Sequence, residues 1–250
     1  MTADDAIVFS NVVRRHDGGP RVLDGFSLTV RRGETMILIG PSGCGKTTAL
    51  KLVNRLGAAD SGTVAVEGRD VSAWDPFVLR RRIGYVIQET GLFPHLDVGR
   101  NVEVVPRLLG WDAPRRAARA DEMLRLVGLD PAEVRRKMPH QLSGGQRQRV
   151  GVARALAGDP PIVLMDEPFG ALDPITRANL QADFGSLARS LGKTIVFVTH
   201  DIVEAFRLGT RIALLKGGRV HQLGAASDFR ELPVDDFVRE FVASGSHAPA

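Results

Sequence analysis

TMILIGPSGCGKTTAL, residues 35–50, joins a short apolar run to a glycine-studded loop and then to a helical pattern. The spacing of Gly40, Gly45, Lys46 and Thr47 fits G-x-x-x-x-G-K-[ST]. Glycines at those places let backbone N–H groups curl round a phosphate without side-chain obstruction, and the following helix turns its positive end inward. Lys46 can then reach the β- and γ-phosphates of a nucleotide as a point charge, and the Thr47 hydroxyl offers Mg2+ a hard oxygen ligand. The bare pattern arises by chance in roughly one chain in a hundred of this length, so its flanks decide. Met36 to Ile39 read as a buried strand; Ala49, Leu50, Leu52, Val53 and Leu56, closing near Gly57, read as a helix. A nucleotide phosphate site is the expectation.

The chain has 250 residues, 44% of them hydrophobic, which is enough for a substantial core. No apolar run approaches the ~20 residues needed to cross a bilayer. The opening MTADDAIVF has neither the basic nor the apolar region of a signal peptide, so a cytosolic protein is expected unless a partner recruits it to a membrane. Cys44 is the single cysteine, which excludes an intrachain disulfide and a cysteine-rich metal site. Lying beside Lys46, it reads either as a thiol whose thiolate is favoured or as a small residue at a variable loop position. The net charge of +4 and a pI near 9.7 invite a nucleic-acid reading, but the clusters Arg80-Arg81-Arg82 and Arg135-Arg136-Lys137 are short and scattered. With one Tyr and two Trp there is no stacking set, and nucleic acid is not expected as a partner.

Outward from the loop, residues 6–13 and 21–30 read as strands of an N-terminal β layer, separated by the turn Asp17-Gly18-Gly19-Pro20. TVAVE (63–67) and IGYVI (83–87) are further strands. From about 93 to 157 the patterns are mostly helical, including Ala113 to Val127 closed by Gly128, which predicts an inserted helical lobe. The strand 161–166, a helix over 174–191 and the strand 194–198 imply a parallel sheet. A helix from Ile202, a hairpin at Gly217-Gly218 and a last helix over 234–242 complete an α/β chain that reads as one domain over 1–243, with a disordered tail at 244–250.

Four other features carry chemistry. IVLMDE (162–167) ends an apolar strand in two carboxylates, placing Asp166 to orient Mg2+ through its water shell and Glu167 to polarise an attacking water as general base. In LSGGQ (142–146), Ser143 and Gln146 fit a capping box, and Gly144 and Gly145 leave bare N–H groups at the positive end of a helix, a second anion site. Two phosphate-type sites in one chain suggest two chains sharing nucleotide. His200, after the strand TIVFV, falls on the same rim as the Asp166 strand end, where it could contact the γ-phosphate or the water. Gln88, after IGYVI, is similarly suited to sense the metal and the water.

Taken in order, GPSGCGKT, Gln88, LSGGQ, IVLMDEP, Ala171-Leu172-Asp173 and His200 resemble the nucleotide-binding subunit of ABC transporters, over about Ile7 to Val242. The resemblance implies a P-loop NTPase fold of ABC type with a mixed central sheet, and a head-to-tail dimer holding two ATP molecules with Mg2+. Each ATP would lie between Gly40, Pro41, Ser42, Gly43, Cys44 and Gly45, with Lys46, Thr47 and Thr48, of one chain and Ser143, Gly144, Gly145 and Gln146 of the other. Asp173 would help join the two sites, and a groove near Gln88 would receive a helix of a membrane permease served by an extracytoplasmic substrate-binding protein. That would hold the chain at the cytoplasmic face of the cell membrane. The strings RRRIGYVIQETGLFPHLDV, VPRLLGW and DEPFGALDPITR look like the quaternary-amine branch of importers, which take up glycine betaine, choline or carnitine. His16 stands where the superfamily has an aromatic residue to stack on adenine, and the sequence ends at Ala250, where many members of the branch continue into regulatory CBS modules.

The competing classes are a soluble ABC ATPase acting on nucleic acid or ribosomes, an importer ATPase for another solute, and a module that binds ATP without hydrolysing it. The first needs a long coiled coil or a tandem cassette, and the last is disfavoured by the presence of Glu167 and His200.

Overall fold

The computed structural model describes residues 4–16, 18–88, 91–170, 177, 181, 182, 184 and 192–245. In chain order it contains β1 (Asp5–Arg15), β2 (Arg21–Arg31), β3 (Thr35–Ile39), α1 (Lys46–Val53), β4 (Ser61–Val66), β5 (Arg69–Asp70), α2 (Pro76–Arg81) and β6 (Ile83–Val86). There follow α3 (Val98–Leu108), α4 (Ala113–Leu126), α5 (Pro131–Val134), α6 (Gly144–Ala157), β7 (Ile162–Asp166) and β8 (Thr194–Val198). The chain closes with α7 (Ile202–Leu208), β9 (Arg211–Lys216), β10 (Arg219–Gly224), α8 (Ala226–Glu231) and α9 (Asp236–Gly245). Two compact units result, one from 1–79 with 192–250 and the other from 80–191, a wider second unit than the helical stretch 93–157 alone.

The first unit holds the antiparallel sheet β2-β1-β4-β5 and a mixed sheet in the order β10-β9-β3-β8. In β2 the buried residues are Leu23, Phe26, Leu28 and Val30. A two-residue period cannot carry Leu23 and Phe26 to one face, and the extra residue is absorbed at Gly25, whose φ is 69°. β3 pairs in parallel with β8 and β9, and every residue of β3 and β8 is buried, which is why both read as unbroken apolar runs. Gly217 and Gly218, with φ of 57° and 77°, make the two-residue turn of the β9–β10 hairpin.

Two of the boundary shifts from the sequence expectation have a clear bonding pattern behind them. Helix α1 stops at Val53 instead of near Gly57, because Arg55 takes a φ of 51°; its N–H donates to Leu52 O (3.1 Å) and that of Leu56 to Lys51 O (2.8 Å). This is the double-bonded helix ending that glycine normally makes, and it leaves Leu56 49% exposed. Helix α9 reaches Gly245, two residues into the expected tail, and Ser244 Oγ donates to Phe241 O within it.

In the second unit β6 and β7 form a parallel pair, with Val86 opposite Met165. Helix α6 packs against β6, α3 and α4. Asn101, fully buried on α3, donates to the carbonyls of Phe93, Leu96 and Asp97 and accepts from Phe93 N–H at 2.8 Å, which fixes the approach to that helix. Of the expected helix over 174–191, Arg177, Gln181, Ala182 and Phe184 are described and are helical. No helix among the described residues is long and apolar enough to cross a membrane.

Candidate functional site

In the first unit the phosphate-type loop leaves β3 through Gly40. At its φ of 147° a Cβ there would lie 2.3 Å from Leu215 O, so no side chain fits. Gly43 and Gly45 also have positive φ (78° and 103°), and a Cβ on Gly45 would come within 2.5 Å of Leu23 Cδ2. Glycine is thus required twice for space and three times for conformation. Helix α1 has no side-chain cap at Gly45, and its positive end suits an anionic ligand. Pro41, Ser42 and Gly43 are exposed, Thr47 is half-buried, and Thr48 is buried. Lys46 is buried, and its Nζ donates to Gly40 O (2.7 Å) and Pro41 O (3.0 Å) and lies 3.8 Å from Cys44 Sγ.

Of the two readings of Cys44, the geometry supports the packed small residue. Burial pushes its thiol up, and the neighbouring Lys46 charge only partly opposes that.

The same unit carries His200 and His16. Leu38 pairs with Val198, and Thr199 N–H donates to Leu38 O at 3.2 Å, so His200 leaves the sheet at the edge from which Gly40 leaves it. His200 is exposed, and its backbone is fixed on both sides. Asp201 N–H donates to Thr199 Oγ1 (3.0 Å), and the Asp201 carboxylate caps α7 through Val203 and Glu204 N–H. His16 is exposed just past β1, where its carbonyl accepts from Gly19 N–H at 2.7 Å.

In the second unit β7 delivers Asp166, 5% exposed, at its end. Glu167 follows at a φ of 45°, and its carbonyl accepts from Gly170 N–H at 3.2 Å, a turn that swings the side chain off the strand line. Gln88, exposed two residues past β6, donates from Nε2 to Glu167 Oε2 at 3.2 Å. The parallel register of β6 and β7 brings these residues together across 79 positions of sequence. Tyr85, on β6, is a residue the sequence reading passed over: burial, and then the negative charge of Asp166, push its phenol up to about 12. Its only sequence signal is its place in the strand that ends at Gln88.

Also in the second unit, Ser143 Oγ accepts from Gln146 N–H (3.2 Å) and Gln146 Oε1 from Ser143 N–H (3.0 Å), a reciprocal cap at the start of α6. Gly144 is exposed and Gly145 half-buried, so the first amides of this 14-residue helix stay accessible to an anion. Asp173 lies outside the described residues.

The loop, with its glycine-only approach and buried ammonium, fits a polyphosphate. Thr47 in the first unit and Asp166 in the second are each an oxygen donor of the kind Mg2+ selects. Among the described residues no group of three or more His, Cys, Asp or Glu gathers into a denser metal site.

The profile of the ABC transporter family matches residues 23–170, from the start of β2 through the Asp166–Glu167 turn. The chain is 50% identical over 236 residues to the choline transport ATP-binding protein OpuBA of Bacillus subtilis, covering 94% of this chain and 62% of that protein. It is 48% identical to the glycine betaine uptake system ATP-binding protein YehX of Escherichia coli, covering 94% of this chain and 76% of that one. Against several such relatives it thus spans about three fifths of their length. Among solved structures, a dimeric post-hydrolysis state of the ATP-binding cassette MJ0796 bound to ADP and Pi superposes with a TM-score of 0.79 at 35% identity, covering 88% of this chain and 98% of that one. A family profile over more than half the chain, relatives near 50% identity and a shared cassette fold lead to one conclusion: the chain belongs to the ABC transporter family.

Proposed function

We propose that this chain is the ATP-hydrolysing subunit of an importer, working as a head-to-tail dimer at the cytoplasmic face of a membrane permease. The observation that carries the proposal is the pairing of Gln88 with Glu167 beside the buried Asp166, in a chain that also holds a lysine inside a glycine-only loop. In this reading the loop amides and Lys46 take up the triphosphate charge, and Ser143, Gly144, Gly145 and Gln146 of a second copy bind the same nucleotide from the other side, with Asp173 joining the two sites. Glu167 accepts a proton from the attacking water, Gln88 orients that water, and His200 donates to the γ-phosphate or the water. Thr47, Asp166 and Gln88 would hold Mg2+, which when bound supplies neutralising charge to the β- and γ-oxygens. His16 flanks the adenine in place of the usual aromatic residue.

For the solute we propose a quaternary amine such as glycine betaine or choline, delivered by an extracytoplasmic binding protein. The similarity to OpuBA and YehX, whose names carry choline and glycine betaine, supports this choice. The test is a pull-down of the subunit from native membranes in Mg-ATP, followed by ATPase assay of what is recovered. A multi-span permease whose ATPase rises with glycine betaine through a binding protein is the expected result. A permease stimulated only by a different solute overturns the solute, and recovery of nucleic acid or ribosomes without a membrane partner overturns the importer.

A further inference from the structure

Arg154 lies on α6 eleven residues after the Ser143 cap, about three turns along the helix. Its Nη1 donates to Gly91 O at 2.6 Å, and its guanidinium sits 5.8 Å from the centroid of the Phe93 ring. Gly91 has a φ of 53°, and a Cβ on it would meet Ile87 Cδ1 at 2.4 Å and Arg154 Nη2 at 3.7 Å, so Ile87, Gly91 and the guanidinium crowd into one place. Gln88, next to Ile87, is the residue whose amide reaches Glu167 Oε2. From the other side Asn101 clamps Phe93 through both its N–H and its C=O. Burial pulls the Arg154 guanidinium below its ordinary range, so the fold keeps a charge where solvation is poor. An arginine retained at such a cost, with a hydrogen bond to a loop carbonyl and a ring face beside it, has the planar reach to fix a backbone segment in place.

We infer that Arg154 is a positioning residue that ties helix α6 to the segment around Gly91 and Phe93, and through Gln88 sets the place of Glu167. The inference deepens the ATPase reading and rests on it: the helix whose first turn would receive a partner's nucleotide is bonded, three turns on, to the segment next to the glutamine that holds the base. Displacement of α6 is therefore felt at Gln88.

The test uses the full chain with Arg154→Met, which keeps an apolar stem but removes the donors, Arg154→Lys, which restores a charge and a shorter donor, and each change in a Gln88→Ala background. Steady-state ATPase and hydrogen exchange over residues 91–96 are read together. Arg154→Met should lower kcat about tenfold or more, with the KM for ATP within about twofold, and should speed exchange over 91–96. Arg154→Lys should recover part of both. In the Gln88→Ala background Arg154→Met should cost little further, because both changes break one chain of contacts. An unchanged kcat, or an equal loss on top of Gln88→Ala, overturns the inference. A wild-type chain without ATPase refutes the function proposed above, and the exchange arm then decides this inference alone: unaltered protection over 91–96 in Arg154→Met overturns it.

Discussion

The amide of Gln88 donates to the carboxylate of Glu167 across 3.2 Å, joining the ends of two adjacent parallel strands. The residue assigned to orient water is thus bonded to the residue assigned to deprotonate it. Replacing Glu167 by Gln keeps the shape and an oxygen for Gln88 but removes the base. Turnover should fall by about 10²–10⁴-fold while ATP affinity stays within about twofold, and an ATP-bound dimer should accumulate on gel filtration. A mutant that stays monomeric in Mg-ATP contradicts the shared site.

Lys46→Ala should act on binding itself. Removing the ammonium leaves the phosphate charge uncompensated, a loss of about 1.5–3 kcal/mol for a charged hydrogen bond. Titration calorimetry with ATP should show affinity weakened by one to two orders of magnitude, on the order of that energy. Unchanged affinity refutes the role of Lys46.

Cys44 should be a slow nucleophile despite its lysine neighbour. Burial favours the neutral thiol and blocks approach, so alkylation at pH 8 should run at least about tenfold slower than for a free cysteine. The rate should climb only above the ordinary thiol range, and ATP should slow it further. The folded thiol's raised pKa also gives the sign for stability: its contribution is intact below the unfolded value and is lost as pH rises through the folded one. Rapid labelling at neutral pH would show the thiolate to be favoured after all.

Tyr85 is the single tyrosine of the chain, so its phenolate absorbance can be followed without interference. In the folded protein it should ionise near 12, against about 10 in the denatured chain. The neutral phenol stabilises the fold fully below the unfolded value, and that contribution disappears as pH climbs from about 10 through 12. Titration near 10 with the fold intact would remove the influence of burial and Asp166.

Asn101→Ala should destabilise by about 3 kcal/mol, since it deprives Phe93 N–H and Leu96 O of their buried partner. A lower urea midpoint with an unchanged m-value is the expected signature. A loss under about 1 kcal/mol would mean water replaces the amide.

The parts legible in the sequence were those with a strong local signature. TMILI and TIVFV could only be buried strands, and Ser143 with Gln146 could be read as a reciprocal cap from spacing alone. What escaped depends on contacts that no window contains. Gln88 and Glu167 meet because β6 and β7 pair in register, and Arg154 reaches Gly91 across 63 positions. Leu56 looked like the last residue of an apolar helical face, yet Arg55 ended the helix in a conformation ordinarily left to glycine. Propensity gives no warning of an arginine in that role.

The Lys46 ammonium, held by the carbonyls of Gly40 and Pro41, has a bearing on the resting protein as well. A buried cation without acceptors would be a standing strain; here the loop's own carbonyls satisfy it, so an anion has only to outcompete two neutral oxygens for a charge already in position. Binding and release at the loop then become exchanges of partner within one settled architecture, which suits the repeated turnover of the proposed ATPase.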